Sequence, residues 1–295
     1  ANSTQLGLLN LVYPTAVHTR LEHSIGTFSV LCRMILALYH DPLNPLFRQI
    51  MAEADLKAAL LAGLLHDVGQ YPLAHDLEEA DQNAFSHETL TLQILAEQAS
   101  PLRVAIESPD GWDIPIERVM DVLKADPDEM KGTLKDRILH SLISGPIDAD
   151  KMDYLVRDSL NLGLPYGKVI DIDYLLQCLT IVFRRSNGHT YASLGIHEKG
   201  KVPAEAIFFA RYAMYGSVYW HHTYRAIKAM LQRMTWEMLS ASSEPDRLKR
   251  EFQDFIKPAG QALQLNLITS GGGVGFSQIQ QGDMVLAFIP VSKSS

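Results

Sequence analysis

His66-Asp67 closes an apolar run inside LLAGLLHDVGQYPLAH and offers one imidazole nitrogen and one carboxylate oxygen to a single cation. Burying an unpaired aspartate costs on the order of several kcal/mol, a large share of a domain's stability, so this pair needs a cation or a strong hydrogen-bond partner. A helix-capping aspartate belongs at the start of a helix, not at its end, which favours the cation. His23 in RLEHSIG and Asp150 in DADKMDYLVRD complete the order His, His-Asp, Asp. One buried histidine alone is usually a core residue with a satisfied ring; two histidines and two aspartates in this order form a ligand set. Two nitrogens and two oxygens suit one divalent metal ion (Mn²⁺, Fe²⁺, Ni²⁺, Zn²⁺ or Mg²⁺) with positions left for water. Such an ion brings water ionisation near neutral pH, and the expectation is a metal-dependent phosphohydrolase.

Other side chains stand where they could handle a phosphate. Arg20 precedes His23 by three residues and Lys151 follows Asp150, which suggests charge-assisted clamping of phosphate oxygens. Asp150, Tyr154 and Asp158 recur at i, i+4, i+8 and form one stripe, as lining of a site would. Asp153 and Arg157 read as an ordinary i, i+4 ion pair on a neighbouring face. His75 and His87 lie beyond the breaker Gly69–Pro72, where either could pass a proton to a leaving oxygen, with Asp76 or Glu88 orienting it. Arg211, Tyr215, Tyr219 and His222 fall near one stripe further on, with Tyr215 and Trp220 read as core. His18, His40, His140, His189 and His197 read as ordinary histidines.

Helices must position these groups. The apolar spacing predicts a helix over Ser24–Tyr39, and one over Leu56–Asp67 capped by Asp55 and stopped by Gly69 and Pro72. Ser86 caps the next; Ile116–Lys124, Thr133–Leu142 and Ala149–Leu160 follow. Leu175–Phe183 and Thr190–Ile196 are β-prone, with Asn187-Gly188 as a hairpin turn. A continuous helix is expected over Ala204–Ser240. The last forty residues mix a short helix, a Gly-rich stretch and a strand at Met284–Ile289. The expected fold is therefore mostly α: a helical bundle over residues 1–165, then an extension over 166–295 holding the hairpin, a long site-lining helix and a mixed tail.

A chain of 295 residues with 47% hydrophobic content can bury a large core. Its net charge of -8 argues against a general nucleic-acid or anionic-membrane surface but leaves room for a local basic pocket. Two cysteines in apolar runs favour a reducing compartment over a disulfide framework. No signal peptide and no apolar run long enough to span a bilayer stand out, so a cytoplasmic location without membrane partners is expected.

The motif order resembles the HD-domain phosphohydrolase superfamily. QLGLLNLVYPTAVHTRLEHSIG, LLHDVGQYPLAH, FSHE, IDADKMDYLVRDS and ARYAMYGSVYWHHTYRA, in series from residue 5 to about 230, are similar to its deoxynucleoside triphosphate triphosphohydrolase branch. The resemblance implies an HD-domain helical bundle in which His23, His66, Asp67 and Asp150 hold the metal. His75 would be the general acid, with His87 beside it and Asp67 among the catalytic groups. Arg20, Lys151 and Arg211 would bind phosphates; Tyr154, Asp158 and Tyr219 would line the sugar and phosphate site; Gln5 and Leu6 would check the sugar edge and 3′-hydroxyl. The implied reaction releases deoxynucleoside and intact triphosphate from a dNTP, in a homo-oligomer that can bind nucleotide effectors. One departure concerns the substrate. HDVGQYPLAH stands where the branch has HDxGHGPFSH, so Gln70 replaces a phosphate-facing histidine and Tyr71 a glycine. Glutamine hydrogen-bonds but cannot titrate near pH 7. Two rival readings follow: an HD phosphohydrolase on another nucleotide or phosphate ester, and a nucleotide-binding regulator with vestigial hydrolysis.

Overall fold

The computed structural model describes residues 3–79, 86–186, 188–247 and 249–251. Its first long helix, α1 (Arg20–Tyr39), starts four residues before the apolar period does. Thr19 accepts from the Glu22 N–H while the Glu22 carboxylate accepts from the Thr19 N–H at 2.6 Å, a reciprocal cap that carries the helix back to include Arg20. By length and composition α1 could cross a membrane, contrary to the sequence expectation. In the fold it is a core helix instead, burying Leu31, Met34, Ile35 and Leu38 together with His23.

A short α2 (Leu46–Ile50) leads to α3 (Glu53–Leu65), which is buried on nearly all sides and packs along α1. Gly63 permits the close crossing, since a Cβ there would lie 2.5 Å from Leu31 Cδ2. Asp55 is not the N-cap expected of it. The helix begins at Glu53, and Asp55 sits in its first turn, accepting from the Ala52 N–H at 2.9 Å. The helix also stops at Leu65, leaving His66 as its C-cap and Asp67 in the turn beyond.

After that turn come α4 (Ala74–Glu78), α5 (His87–Ala96), α6 (Pro101–Glu107), α7 (Ile116–Lys124), α8 (Leu134–Ser141) and α9 (Ala149–Asn161). Ser86 and Thr133 cap α5 and α8 through their side chains. Asp148, fully buried, caps α9 by accepting from the Lys151 N–H. Helix α9 lies against α1, which sets Asp150 opposite His23.

The β-prone run divides. Its first residues form a one-turn helix, α10 (Ile172–Leu176), capped by Asp171, with Leu175 and Leu176 buried. Strand β1 (Leu179–Ser186) then pairs antiparallel with β2 (His189–Ile196) across a two-residue connection; Asn187 lies outside the described residues. A short apolar run fits a buried helix turn as well as a strand, and here burial decided. The hairpin root is held by Asn44, which donates to Ile181 O at 2.8 Å, and by the Thr180 hydroxyl donating to Asp41 at 2.9 Å.

The expected continuous helix is broken as well. Helix α11 (Lys201–Met214) passes into a π turn at Tyr215–Tyr219, and α12 (His222–Ala241) begins afresh, its His221 imidazole accepting from the Thr223 N–H. The widened turn lets Tyr219 reach Asp158 and Tyr13 donate to Ser217 O at 2.9 Å. Trp220, read as core, is 63% exposed because the break turns it outward. The strand expected at Met284–Ile289 and the Gly-rich stretch lie outside the described residues.

Candidate active site

Three chain segments, the end of α3, α1 and α9, meet at His66. Its Nδ1 lies 2.8 Å from Gly63 O, a carbonyl that can only accept, so Nδ1 carries the proton and Nε2 is bare. That Nε2 is buried and lacks a hydrogen-bond partner, and it faces Asp67 Oδ1 at 3.6 Å and Asp150 Oδ1 at 3.8 Å. His23 repeats the pattern. Its Nδ1 is bound by Asp153 Oδ2 at 2.9 Å, and its Nε2 meets Asp150 Oδ1 at 3.0 Å. One ligand atom each from His23, His66 and Asp150 fits within 4.8 Å. Two imidazole nitrogens and two carboxylates all offering lone pairs to one point repel unless a proton or a cation joins them. This donor set, with both imidazoles fixed from behind, fits a divalent cation.

The charges agree with that geometry. Burial opposes charge on His23, yet hydrogen bonds to Asp150 and Asp153 push its imidazole up to about 10, a proton doing the joining in the ion-free protein. Burial likewise opposes charge on Asp67, but His66, His87, His23 and Arg20 outweigh it and hold the carboxyl well below the usual carboxylate range.

Asp153 is the largest omission of the sequence reading. The pair with Arg157 exists, at 2.7 and 2.8 Å, but the same carboxylate fixes the His23 ring. Gly26 makes room: a Cβ there would stand 1.9 Å from Asp153 Oδ1 and 2.1 Å from Arg157 Nη2. A glycine one turn after a candidate ligand, inside an otherwise strong helix, was the available signal.

A second cluster adjoins the first. Leu73 adopts φ +63, and this left-handed turn brings His75 back over Gln70. The Gln70 amide nitrogen lies 2.6 Å from His75 Nε2, while His75 Nδ1 faces Glu78 at 3.2 Å. Glu78 also takes the His87 Nδ1–H at 2.5 Å and the His87 backbone N–H at 2.6 Å. Burial works against charge on Glu78, but the two histidines hold its carboxyl well below the usual range. His87 Nε2 points at Asp67 Oδ1, 3.8 Å away, which links the clusters. Sequence reasoning named Asp76 and Glu88 as possible orienting acids; Glu78, one helical turn after His75, is the one that binds both rings. Asp76 is buried and accepts from Tyr224 at 2.8 Å.

Arg20 is 8% exposed, and its side chain makes no ion pair or hydrogen bond among the described residues. Burial lowers its pKa, opposed by the charges of Asp67, Tyr224 and Asp76. Asp158 is buried between His18 Nε2 at 2.8 Å and the Tyr219 hydroxyl at 2.6 Å, so His18 is no ordinary loop histidine. Tyr154 stacks edge-on to Tyr219, and Arg211 lies 5.4 Å over the Tyr215 ring and couples to Tyr154. The Gln5 backbone pairs with His18 O at 2.9 Å, and its side-chain oxygen is buried without a partner. Leu6 packs on the core. Lys151 is turned onto Asp148 at 2.7 Å rather than into the cluster. Tyr71, expected near the substrate, is buried in the core at 5% exposure.

Residues 20–144 match the family described as HD domain, and residues 170–255 match the HD associated region. The chain carries an HD domain. Asp150 lies just past the matched HD stretch, on the helix that α1 packs against. An uncharacterized protein of Methanocaldococcus jannaschii is 32% identical over 233 residues, covering 79% of this chain and 42% of that protein. The deoxynucleoside triphosphate triphosphohydrolase SAMHD1 homolog of Dictyostelium discoideum is 27% identical over 233 residues, 77% of this chain and 41% of its own length. The HD-domain chain thus spans less than half of either relative. A crystal structure of a phosphohydrolase from Bacteroides thetaiotaomicron superposes with a TM-score of 0.62 at 26% identity, over 90% of this chain and 62% of that one.

Proposed function

We propose that this protein is a metal-dependent phosphohydrolase that converts dNTPs to deoxynucleoside and triphosphate, with water attacking the α-phosphorus. The observation that carries the phosphate reading is Arg20, a buried guanidinium near Asp67 and Asp76 whose side chain makes no hydrogen bond or ion pair among the described residues. A buried guanidinium whose Nε–H has no acceptor is costly, and an anionic ligand is the natural relief. His23, His66, Asp67 and Asp150 would hold one divalent ion, which when bound supplies Lewis acidity and acidified water. Arg20 would bind phosphate oxygens, with Arg211 as a second clamp and Lys151 joining once it leaves Asp148. The Glu78-anchored pair of His75 and His87 would deliver the proton that the leaving 5′-oxygen takes up. Asp158, fixed by His18 and Tyr219, would face the sugar with Tyr154, Gln5 and Leu6. The dNTP assignment draws on the motif resemblance and on the name of the Dictyostelium relative.

Gln70 favours a second reading, another nucleotide or phosphate ester, because an uncharged amide stands where the related branch has a phosphate-facing histidine. Incubating the Mn²⁺- or Mg²⁺-loaded protein with a nucleotide panel separates the readings. Triphosphate released with nucleoside supports the first. Nucleoside monophosphate or free phosphate as the sole product supports the second and removes the first. Tight nucleotide binding without turnover points to a regulatory protein and removes both.

A further inference from the structure

Helix α4, which carries His75 and Glu78, is too short to hold its own position. It has five residues, follows the left-handed Leu73 and lacks a side-chain N-cap. One face of α12 grips it. Tyr224, Lys228 and Gln232 recur at i, i+4, i+8, and all three reach α4. The Tyr224 hydroxyl donates to buried Asp76, with both carboxylate oxygens at 2.8 Å. Lys228 pairs with Glu79, the C-cap of α4, at 2.5 Å and with Asp76 at 3.4 Å. The Gln232 amide donates to Asp76 O at 3.1 Å, so the backbone of α4 is held as well. These polar links matter because α12 has no fully buried side chain among the described residues. The π turn ahead of α12 is fixed too: Tyr219 donates to Asp158 at 2.6 Å, five residues before Tyr224.

We infer that Tyr224, acting through Asp76, is a positioning residue for the site: it ties α4, and with it His75 and Glu78, to the segment whose first turn holds Asp158. The inference deepens the proposed phosphohydrolase reading and rests on it. Asp76 and Glu79 form one i, i+3 pair on α4, and His75 and Glu78 form the neighbouring one. A hold on the first pair therefore sets the rotation of the second about the helix axis. Tyr224 serves as a hydrogen-bond donor of fixed reach; burial and the Asp76 charge push its pKa up, so it keeps its proton. Phenylalanine at this position would keep the ring and its packing on the core but leave the buried Asp76 carboxylate short of a donor. The loss falls on a short helix at the site, while the core of α1 and α3 is untouched.

The test compares Tyr224→Phe with wild type in the full Mg²⁺-loaded chain, with Arg233→Ala, an exposed residue of the same helix, as control. Hydrogen exchange needs no turnover. Loss of one hydrogen bond to a buried carboxylate should speed exchange of the amides at 74–79 about 10–100-fold, while those of α1 and α9 keep their wild-type rates. With the best nucleotide of the panel, kcat should fall about 10-fold while KM and metal affinity stay put, and Arg233→Ala should change none of these. Asp76→Asn combined with Tyr224→Phe should lose no more kcat than the worse single variant, as expected of two residues acting through one bond. Unchanged exchange at 74–79, or faster exchange throughout the chain, overturns the inference whatever the turnover. So does an unchanged kcat in a protein whose α4 exchanges faster. A rise in KM alone also overturns it, since that would put Tyr224 on the phosphate beside Arg20. Faster exchange confined to α4, in a protein whose wild type hydrolyses nothing, upholds the anchoring of α4 and overturns only the hydrolase reading.

Discussion

Gly26→Ala tests whether Asp153 serves the cation site through His23. In an ordinary helix interior this change stabilises, by about 0.5–1 kcal/mol. Here the new Cβ would stand 1.9 Å from Asp153 Oδ1 and 2.1 Å from Arg157 Nη2, and both tips must leave. Because both are ends of flexible side chains, the backbone can stay in place. What is lost is the 2.9 Å bond that fixes the His23 ring, along with the paired contact to Arg157. Removing the partner behind a metal-bound histidine typically weakens metal affinity about 10–100-fold, roughly 1.4–2.7 kcal/mol. At saturating cation that loss appears in full as lost metal-linked stabilisation, while the helix gains about 1 kcal/mol from alanine. The prediction is therefore a split. Without cation the variant trades the alanine gain against the lost Asp153 bonds to His23 and Arg157; with cation its added stabilisation falls short, and a chelator competition gives the roughly 10–100-fold weaker affinity. Gly216→Ala, where a Cβ meets nothing within 4 Å, is the control and should leave the cation response unchanged. Wild-type cation affinity in Gly26→Ala would refute the reasoning, because the overlap forces the Asp153 carboxylate out of its present position behind His23.

The remaining predictions concern charge and the buried hydrogen bonds. His23 has its pKa raised to about 10, so in the ion-free protein its charge adds stability fully below its unfolded pKa near 6.5, and that stability fades as pH rises through about 10. Cation uptake must displace this proton, so calorimetry should find about one proton released per ion and an apparent affinity rising about tenfold per pH unit between roughly pH 7 and 9; a flat profile is the contrary result. Arg20→Met should raise KM about 10–100-fold for loss of a charged hydrogen bond to the phosphate; unchanged KM would exclude Arg20 from substrate binding. Tyr219→Phe strips one of two partners from buried Asp158 and should cost about 1–3 kcal/mol in urea unfolding, with a cost near zero showing that the bond is dispensable.

Much of the candidate site was legible because helical spacing is local. His66-Asp67 at the end of an apolar run and the Asp150, Tyr154, Asp158 stripe needed only a 3.6-residue period and the cost of burying charge. The errors came where a residue's meaning is decided across the fold. Asp153 satisfies an i, i+4 rule with Arg157 perfectly well, and nothing within α9 shows that α1 places His23 against its other oxygen. His18 and Asp158 are 140 residues apart in the chain, and only the packing of the N-terminal segment joins them at 2.8 Å. The break at Tyr215–Tyr219 was hidden for a related reason: every residue there is compatible with a helix, and the π turn is held by contacts from Tyr13 and Asp158.

The buried polar atoms left without partners locate the site independently of any motif. Of the eight among the described residues, five belong to Gln5, His18, Arg20, His66 and Gln70. The other three lie on Arg103, Trp112 and Arg137. A folded chain normally satisfies its buried donors and acceptors, since each one left over costs about 1–3 kcal/mol. Carrying that cost is sustainable only if the core, to which α1 and α3 contribute, is stable enough to bear it. The kinds of unsatisfied atom also matter: His66 Nε2 lacks an electrophile, and Arg20 Nε lacks an acceptor. A divalent cation answers the first, and an anion the second. A phosphate bound to a cation answers both at once, which is why the same unsatisfied set that weakens the fold also selects the ligand.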